Sequence, residues 1–162
     1  MKLTQRLLMK FGSMVPGKSR IPIYRLSGIK IGNKTNISLG FYVDRPEGVE
    51  LGNNCFLNHF VHLHNGTDSD SRIILGNGVF VGPEVRFICE NHEIGPESKR
   101  AGKDIHGSIY VEDGVWIGAG AIILPNVRIA KGGVIGAGAL VTKDTEPNGL
   151  YVGIPARRIR DL

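Results

Sequence analysis

Only two cysteines, Cys55 and Cys89, occur in the 162 residues. The chain therefore has no disulfide framework and no thiolate set at metal-binding spacing; both read as small buried hydrophobes. No apolar run reaches the length that spans a bilayer, and the N-terminus lacks the pattern of a secretory leader. A reducing, cytoplasmic setting is the expectation. Aromatic residues make up only 7%, and no long Lys/Arg run occurs. That sets nucleic acid aside despite a formal charge of +5. The first 30 residues contain no Asp or Glu. Basic residues gather at the two ends: Lys2, Arg6, Lys10, Lys18, Arg20 and Arg25, then Arg157, Arg158 and Arg160.

Glycine, by contrast, is abundant. There are 23, about twice the usual share, without collagen's one-in-three spacing. The excess accompanies a repeat of six. Large apolar residues stand at Ile31, Ile37 and Val43, then at Leu51, Leu57 and Leu63, and at Leu75, Val81 and Phe87. An unbroken run follows at Val111, Ile117, Ile123, Ile129, Ile135 and Val141. The next position is often tiny (Gly32, Ser38, Gly52, Gly76, Gly82, Gly118, Ala130, Gly136). The fifth is mostly small or β-branched. Neither a helix nor an alternating strand has a period of six. A coil of short strands and tight turns does, with the apolar residue inside and the small residues at the corners. Three hexads close one triangular coil, so the positions group into about five stacked coils.

The phase slips after Val43, Leu63 and Phe87, each time after a third hexad. The resulting loops should leave the prism at one corner, the longest over residues 93–108. Such a loop on a rigid solenoid is where function is expected. The organisation read from the chain is an N-terminal cap at 1–30, the repeat at 31–146 and an irregular basic tail at 147–162. In the cap, Leu3, Leu7, Leu8 and Phe11 recur at helical spacing. This is a short helix closing the end of the prism, with peripheral contact to a membrane surface as the alternative.

His92 ends the third coil just before the long loop, where an imidazole could serve as general base toward a hydroxyl. Glu90, two residues earlier, would share its face on a regular strand and could orient it. Asn58 puts an amide where many hexads have Gly, Ser or Ala. Trp116 falls at a corner of its hexad. His59, His62 and His64 cluster without carboxylate or thiol at a ligand spacing, so no metal is expected. Lys143, Arg157 and Arg160 offer charges for phosphates. His106 lies in the loop without an evident role.

Val115-Trp116-Ile117-Gly118, Ile135-Gly136-Ala137-Gly138, Val141-Thr142-Lys143-Asp144 and Gly153-Ile154-Pro155-Ala156-Arg157 resemble the hexapeptide-repeat acetyltransferases. The maltose/galactoside and bacterial polysaccharide O-acetyltransferase branch is the most similar, over roughly residues 31–160. The resemblance implies an all-β fold, a left-handed parallel β-helix. It implies an acetyl-CoA-dependent O-acetyltransferase acting on a sugar or surface-polysaccharide hydroxyl. By that resemblance His92 would be the general base, and Asn58 would contact acceptor and acetyl group. Trp116 would lie beside His92, and Ala119 and Ala137 would let the pantetheine arm lie against the coil. Thr142 and Lys143 would contact CoA, with Arg157 and Arg160 near its phosphates. It also implies a homotrimer with active sites between subunits. Residues 1–30 and the loop from Thr67 to Arg72 depart from the family pattern where the acceptor should sit. The alternatives are an antibiotic or serine acceptor, a zinc β-helix enzyme, whose paired-histidine pattern is missing, and a non-catalytic assembly module.

Overall fold

The computed structural model describes residues 3–66 and 70–162. Lys2 and residues 67–69 of the loop expected to differ from the family lie outside it. The chain opens with α1 (Leu3–Met14) and α2 (Arg20–Leu26). It then runs almost entirely in short strands. First come β1 (Lys30–Ile31), β2 (Asn36–Ile37) and β3 (Tyr42–Val43), then β4 (Val49–Leu51), β5 (Phe56–Leu57) and β6 (His62–His64). Next are β7 (Ile73–Leu75), β8 (Phe80–Val81) and β9 (Arg86–Ile88). A ribbon of β10 (Glu90–Ile94) and β11 (Ala101–His106) interrupts the series. It resumes with β12 (Ile109–Val111), β13 (Trp116–Ile117) and β14 (Ile122–Ile123), then β15 (Arg128–Ile129), β16 (Val134–Ile135) and β17 (Leu140–Val141). It closes with β18 (Gly149–Val152) and β19 (Arg157–Asp161).

Successive strands fall on three sheets in rotation. The first sheet runs β1-β4-β7-β12-β15, and the third runs β3-β6-β9-β14-β17. The second runs β2-β5-β8-β13-β16-β18, with β19 antiparallel on its edge. All other pairings in these sheets are parallel. The register stacks like on like: Ile37 lies beside Leu57, Leu57 beside Val81, Val81 beside Ile117 and Ile117 beside Ile135. Every apolar residue of the six-residue repeat is buried, none more than 9% exposed. At about 1.5–3 kcal/mol for each fully buried side chain, these three ladders are the main stabilising term.

Small residues play a role other than the expected one. The chain bends at the third residue after most of the apolar positions, where Lys34, Asn54, Asn126, Gly114 and Gly132 all have positive φ. The glycine directly after the apolar residue is not the bend. It is where one coil lies against the next. A Cβ on Gly118 would sit 2.6 Å from the backbone nitrogen of Ala137. One edge also carries a polar ladder. The amides of Asn33, Asn53 and Asn77 donate to the side-chain oxygens of Asn53, Asn77 and Asp113, at 2.7, 2.9 and 2.6 Å.

The N-terminal helices close one end. Gly12 of α1 faces the fully buried Tyr24 of α2, whose ring lies 5.4 Å from that of Phe41, and Met9 of the same helix is also buried. Arg20 is buried and donates to the carbonyls of Val15 and Ile37. Arg25 donates to those of Ile31 and Gly32, at the sheet edge that would otherwise present unpaired acceptors. The C-terminal segment, expected to be irregular, is instead the hairpin of β18 and β19, which extends the second sheet.

Candidate active site

The interruption after β9 builds the most reactive-looking surface of the chain. Its base is closed at Cys89, whose N–H donates to His64 O at 2.8 Å and whose carbonyl accepts from Gly107 at 2.9 Å. Between these bonds β10 and β11 pair antiparallel. The expected loop over residues 93–108 is therefore in large part a hairpin. No apolar alternation signals it, because every residue of β10 is exposed and packs on no core. Backbone bonds hold it instead, including Gly95 N–H to Arg100 O and Lys99 N–H to Pro96 O, both 2.9 Å.

Pairing sets Glu90 opposite His106 and His92 opposite Asp104. Alternation places all four side chains on one face, where with Asn91 they line a cavity of ≈ 300 Å³. His92 Nδ1 lies 2.9 Å from Asp104 Oδ1. An ionised carboxylate only accepts, so in the neutral imidazole Nδ1 is the donor and Nε2 the acceptor. His106 Nδ1 and Glu90 form a looser pair at 3.7 Å. The carboxylate that orients His92 is thus Asp104, not Glu90. Directly opposed residues on paired strands stand closer than residues two apart on one strand. Asp104 was not evident from spacing. The signal was available only as a symmetry about the Pro96–Arg100 turn.

Most of the remaining candidates lie along two edges of the coil. Asn58 follows β5, at the edge between the second and third sheets, and its Oδ1 accepts from the His59 backbone N–H at 2.8 Å. Ala119 and Ala137 follow β13 and β16 on the same edge, both exposed, with Gly138 N–H donating to Ala119 O at 2.8 Å. Trp116 is not at a corner. It lies within β13, exposed, beside Phe80 on the outer face of the second sheet. Thr142 and Lys143 follow β17 at the other edge, between the third and first sheets, where the ribbon with His92 also departs. Arg157 and Arg160 lie on β19. Arg158 is taken up by Glu146 and by Asp161 at 2.7 Å, whereas Lys143, Arg157 and Arg160 join no ion pair among the described residues. Asn58, Ala119 and Ala137 on one edge are thus separated by the width of the third sheet from His92, Thr142 and Lys143 on the other, while Trp116, Arg157 and Arg160 lie on the second sheet.

That third face has its own polar cluster. His64 Nδ1 lies 3.5 Å from Asp44 Oδ2, and the rings of His62 and His64 both approach Tyr42. Burial pulls the Asp44 carboxyl upward. Bonds from His64, the Tyr42 hydroxyl and the Gly66 N–H outweigh it and hold the group below its ordinary range. Burial, with His64 and Arg86 nearby, lowers His62. His59 turns away to Asn58. Among the described residues no group of three or more His, Cys, Asp or Glu side chains is placed to hold a metal ion.

Parallel strands thus rotate through three sheets, and a ribbon carrying a His–Asp pair projects from one edge. Residues 108–143 match the family model for the bacterial transferase hexapeptide (six repeats). A galactoside O-acetyltransferase of Lactococcus lactis is 35% identical over 161 residues, covering 96% of this chain and 76% of that protein. The hexapeptide-repeat acetyltransferase of Vibrio cholerae in complex with acetyl-CoA superposes with a TM-score of 0.89 at 26% identity, over 98% of this chain and 85% of that one. A galactoside acetyltransferase in complex with coenzyme A gives 0.87 at 26% identity, over 98% and 79%. The chain belongs to the hexapeptide-repeat acetyltransferase family, in the branch that includes galactoside and maltose O-acetyltransferases.

Proposed function

We propose that this enzyme transfers acetyl from acetyl-CoA to a hydroxyl of a sugar or surface-polysaccharide acceptor. The observation that carries this reading is the His92–Asp104 pair, 2.9 Å apart, with Nε2 of His92 left as a base in a polar cavity. Nε2 takes the acceptor hydroxyl proton as the oxygen attacks the thioester carbonyl carbon. The carbon–sulfur bond breaks, and the departing sulfur takes the proton back from the imidazolium. Asp104 stabilises the positive ring between those transfers. Asn58 contacts acceptor and acetyl group. Ala119 and Ala137 leave a flat edge for the pantetheine arm, and Trp116 flanks it. Thr142, Lys143, Arg157 and Arg160 bind the nucleotide end, where unpaired cations suit a polyanion.

The coil in this reading is left-handed, with five triangular turns, and three copies assemble with their sites in the clefts between them. The division of candidates between two edges supports that assembly, because Asn58 of one copy would complete the His92 site of the next. The test is acetyl-CoA consumption, followed by thiol release, against a panel of sugars and oligosaccharides. Turnover that depends on a sugar supports the reading. CoA binding with no sugar reacting overturns the acceptor, and absence of CoA binding overturns the function.

A further inference from the structure

α1 carries two apolar faces, and the fold uses one. Met9 and Gly12 turn inward, Gly12 to the ring of Tyr24 and Met9 to the Ser27 hydroxyl. Leu3, Leu7, Phe11 and Met14 turn the other way, 58–74% exposed. At the angular step of an α-helix these four fall within an arc of about 80°, roughly opposite the buried side. Leu7 and Phe11, with Thr4 and Leu8, line a shallow depression of ≈ 410 Å³. A solvent-facing stripe of this size on a helix already anchored to a core has no role in folding the described chain.

Charge identifies what covers it. Eight of the 20 Lys and Arg residues lie in the first 43 positions, and none of the 15 Asp and Glu residues does. Some of these cations are spent on structure: Arg20 and Arg25 bond backbone carbonyls, and Lys30 pairs with Glu50. Arg6, Lys10 and Lys18 are exposed and join no ion pair among the described residues. Arg6 and Lys10 flank the apolar stripe on one side of α1. An apolar stripe bordered by cations, on a helix that carries no carboxylate of its own, matches an interface of acyl chains under anionic headgroups. Nucleic acid would leave the apolar stripe unsatisfied. The same face of a second copy would bring like charges together.

We propose that α1 lies in the plane of an anionic lipid surface, with Leu3, Leu7, Phe11 and Met14 in the acyl boundary and Arg6, Lys10 and Lys18 at the headgroups. The inference is independent of the acetyl-transfer reading. It is tested by co-sedimentation of the full chain with vesicles of phosphatidylglycerol and phosphatidylcholine, against phosphatidylcholine alone. Binding should be at least tenfold stronger to the anionic vesicles and weaken with salt. It should fall at least tenfold in Leu7→Ser/Phe11→Ser, with melting temperature and solution mass unchanged. A separate Arg6→Ser/Lys10→Ser variant should lose the preference for anionic lipid. No binding to anionic vesicles overturns the proposal. So does equal binding by Leu7→Ser/Phe11→Ser, which would indicate a general polyanion site. A fall in solution mass in that variant would show that the stripe is covered by another copy of the chain.

Discussion

His92 and Asp104 face each other across an exposed ribbon, with 2.9 Å between ring nitrogen and carboxylate oxygen. Register alone sets this geometry, so the two side chains can be separated by experiment. His92→Ala should lower kcat at least about 100-fold, the usual contribution of a general base. Asp104→Asn keeps the shape but removes the charge that favours the imidazolium. It should lower kcat about 10- to 100-fold and leave KM for acetyl-CoA unchanged. A change in KM with kcat intact would assign Asp104 to binding instead.

The C-terminal arginines allow an internal control. Arg157 and Arg160 are exposed, whereas Arg158 between them bonds Glu146, Asp161 and the carbonyl of Pro147. Arg160→Ala should raise KM for acetyl-CoA about tenfold with kcat unchanged, the effect diminishing in high salt. Arg157→Ala and Lys143→Ala should behave alike. Arg158→Ala should lower the melting temperature and leave KM alone. Initial rates at two ionic strengths separate the two outcomes.

Gly118 and Gly114 test the division of labour between close approach and bending. A Cβ on Gly118 meets backbone of the neighbouring coil at 2.6 Å, which no rotamer change relieves. Gly114 has open space around it but a φ of +71°. Gly118→Ala should cost about 1–3 kcal/mol, and Gly114→Ala about 1–2 kcal/mol, from backbone conformation alone. Replacing Gly114 by Asn, which tolerates a left-handed φ, should recover much of its loss. Asn should worsen position 118. Urea unfolding of the four variants reads both effects.

The inward ladder was legible because its cause is local and repeated. One apolar residue in six, in phase, admits a coil of short strands and little else, and Ile117, Ile123, Ile129 and Ile135 are all fully buried. The chain bend was misassigned because two different demands, a positive φ and a close approach, both favour glycine; Lys34, Asn54 and Asn126 meet the first and not the second. Of the candidate site, one half of the His–Asp pair was legible. His92 stood out by its place at the end of a coil. Asp104 did not, since its pairing depends on the register of a ribbon without apolar alternation. The corner expected for Trp116 is instead the first residue of β13, in register with Phe80 and Val134.

Asp44 gives a pH dependence whose sign follows from its surroundings. Burial opposes its charge, but bonds from His64, Tyr42 and the Gly66 N–H prevail, so its pKa in the folded chain lies below the ordinary 3.8. The unfolded chain therefore binds this proton at a higher pH than the folded one. The stabilisation is fully present above 3.8 and is lost as pH falls through the folded value. Asp44→Asn should thus be less stable than the parent at pH 7, by about 1–2 kcal/mol. The gap should close progressively as pH falls below 3.8. Thermal unfolding of both proteins across that range measures it. A gap that persists undiminished at pH 2 would mean that shape, not charge, makes Asp44 matter. A gap absent at pH 7 would mean that the bonds to His64, Tyr42 and Gly66 only offset the cost of burial.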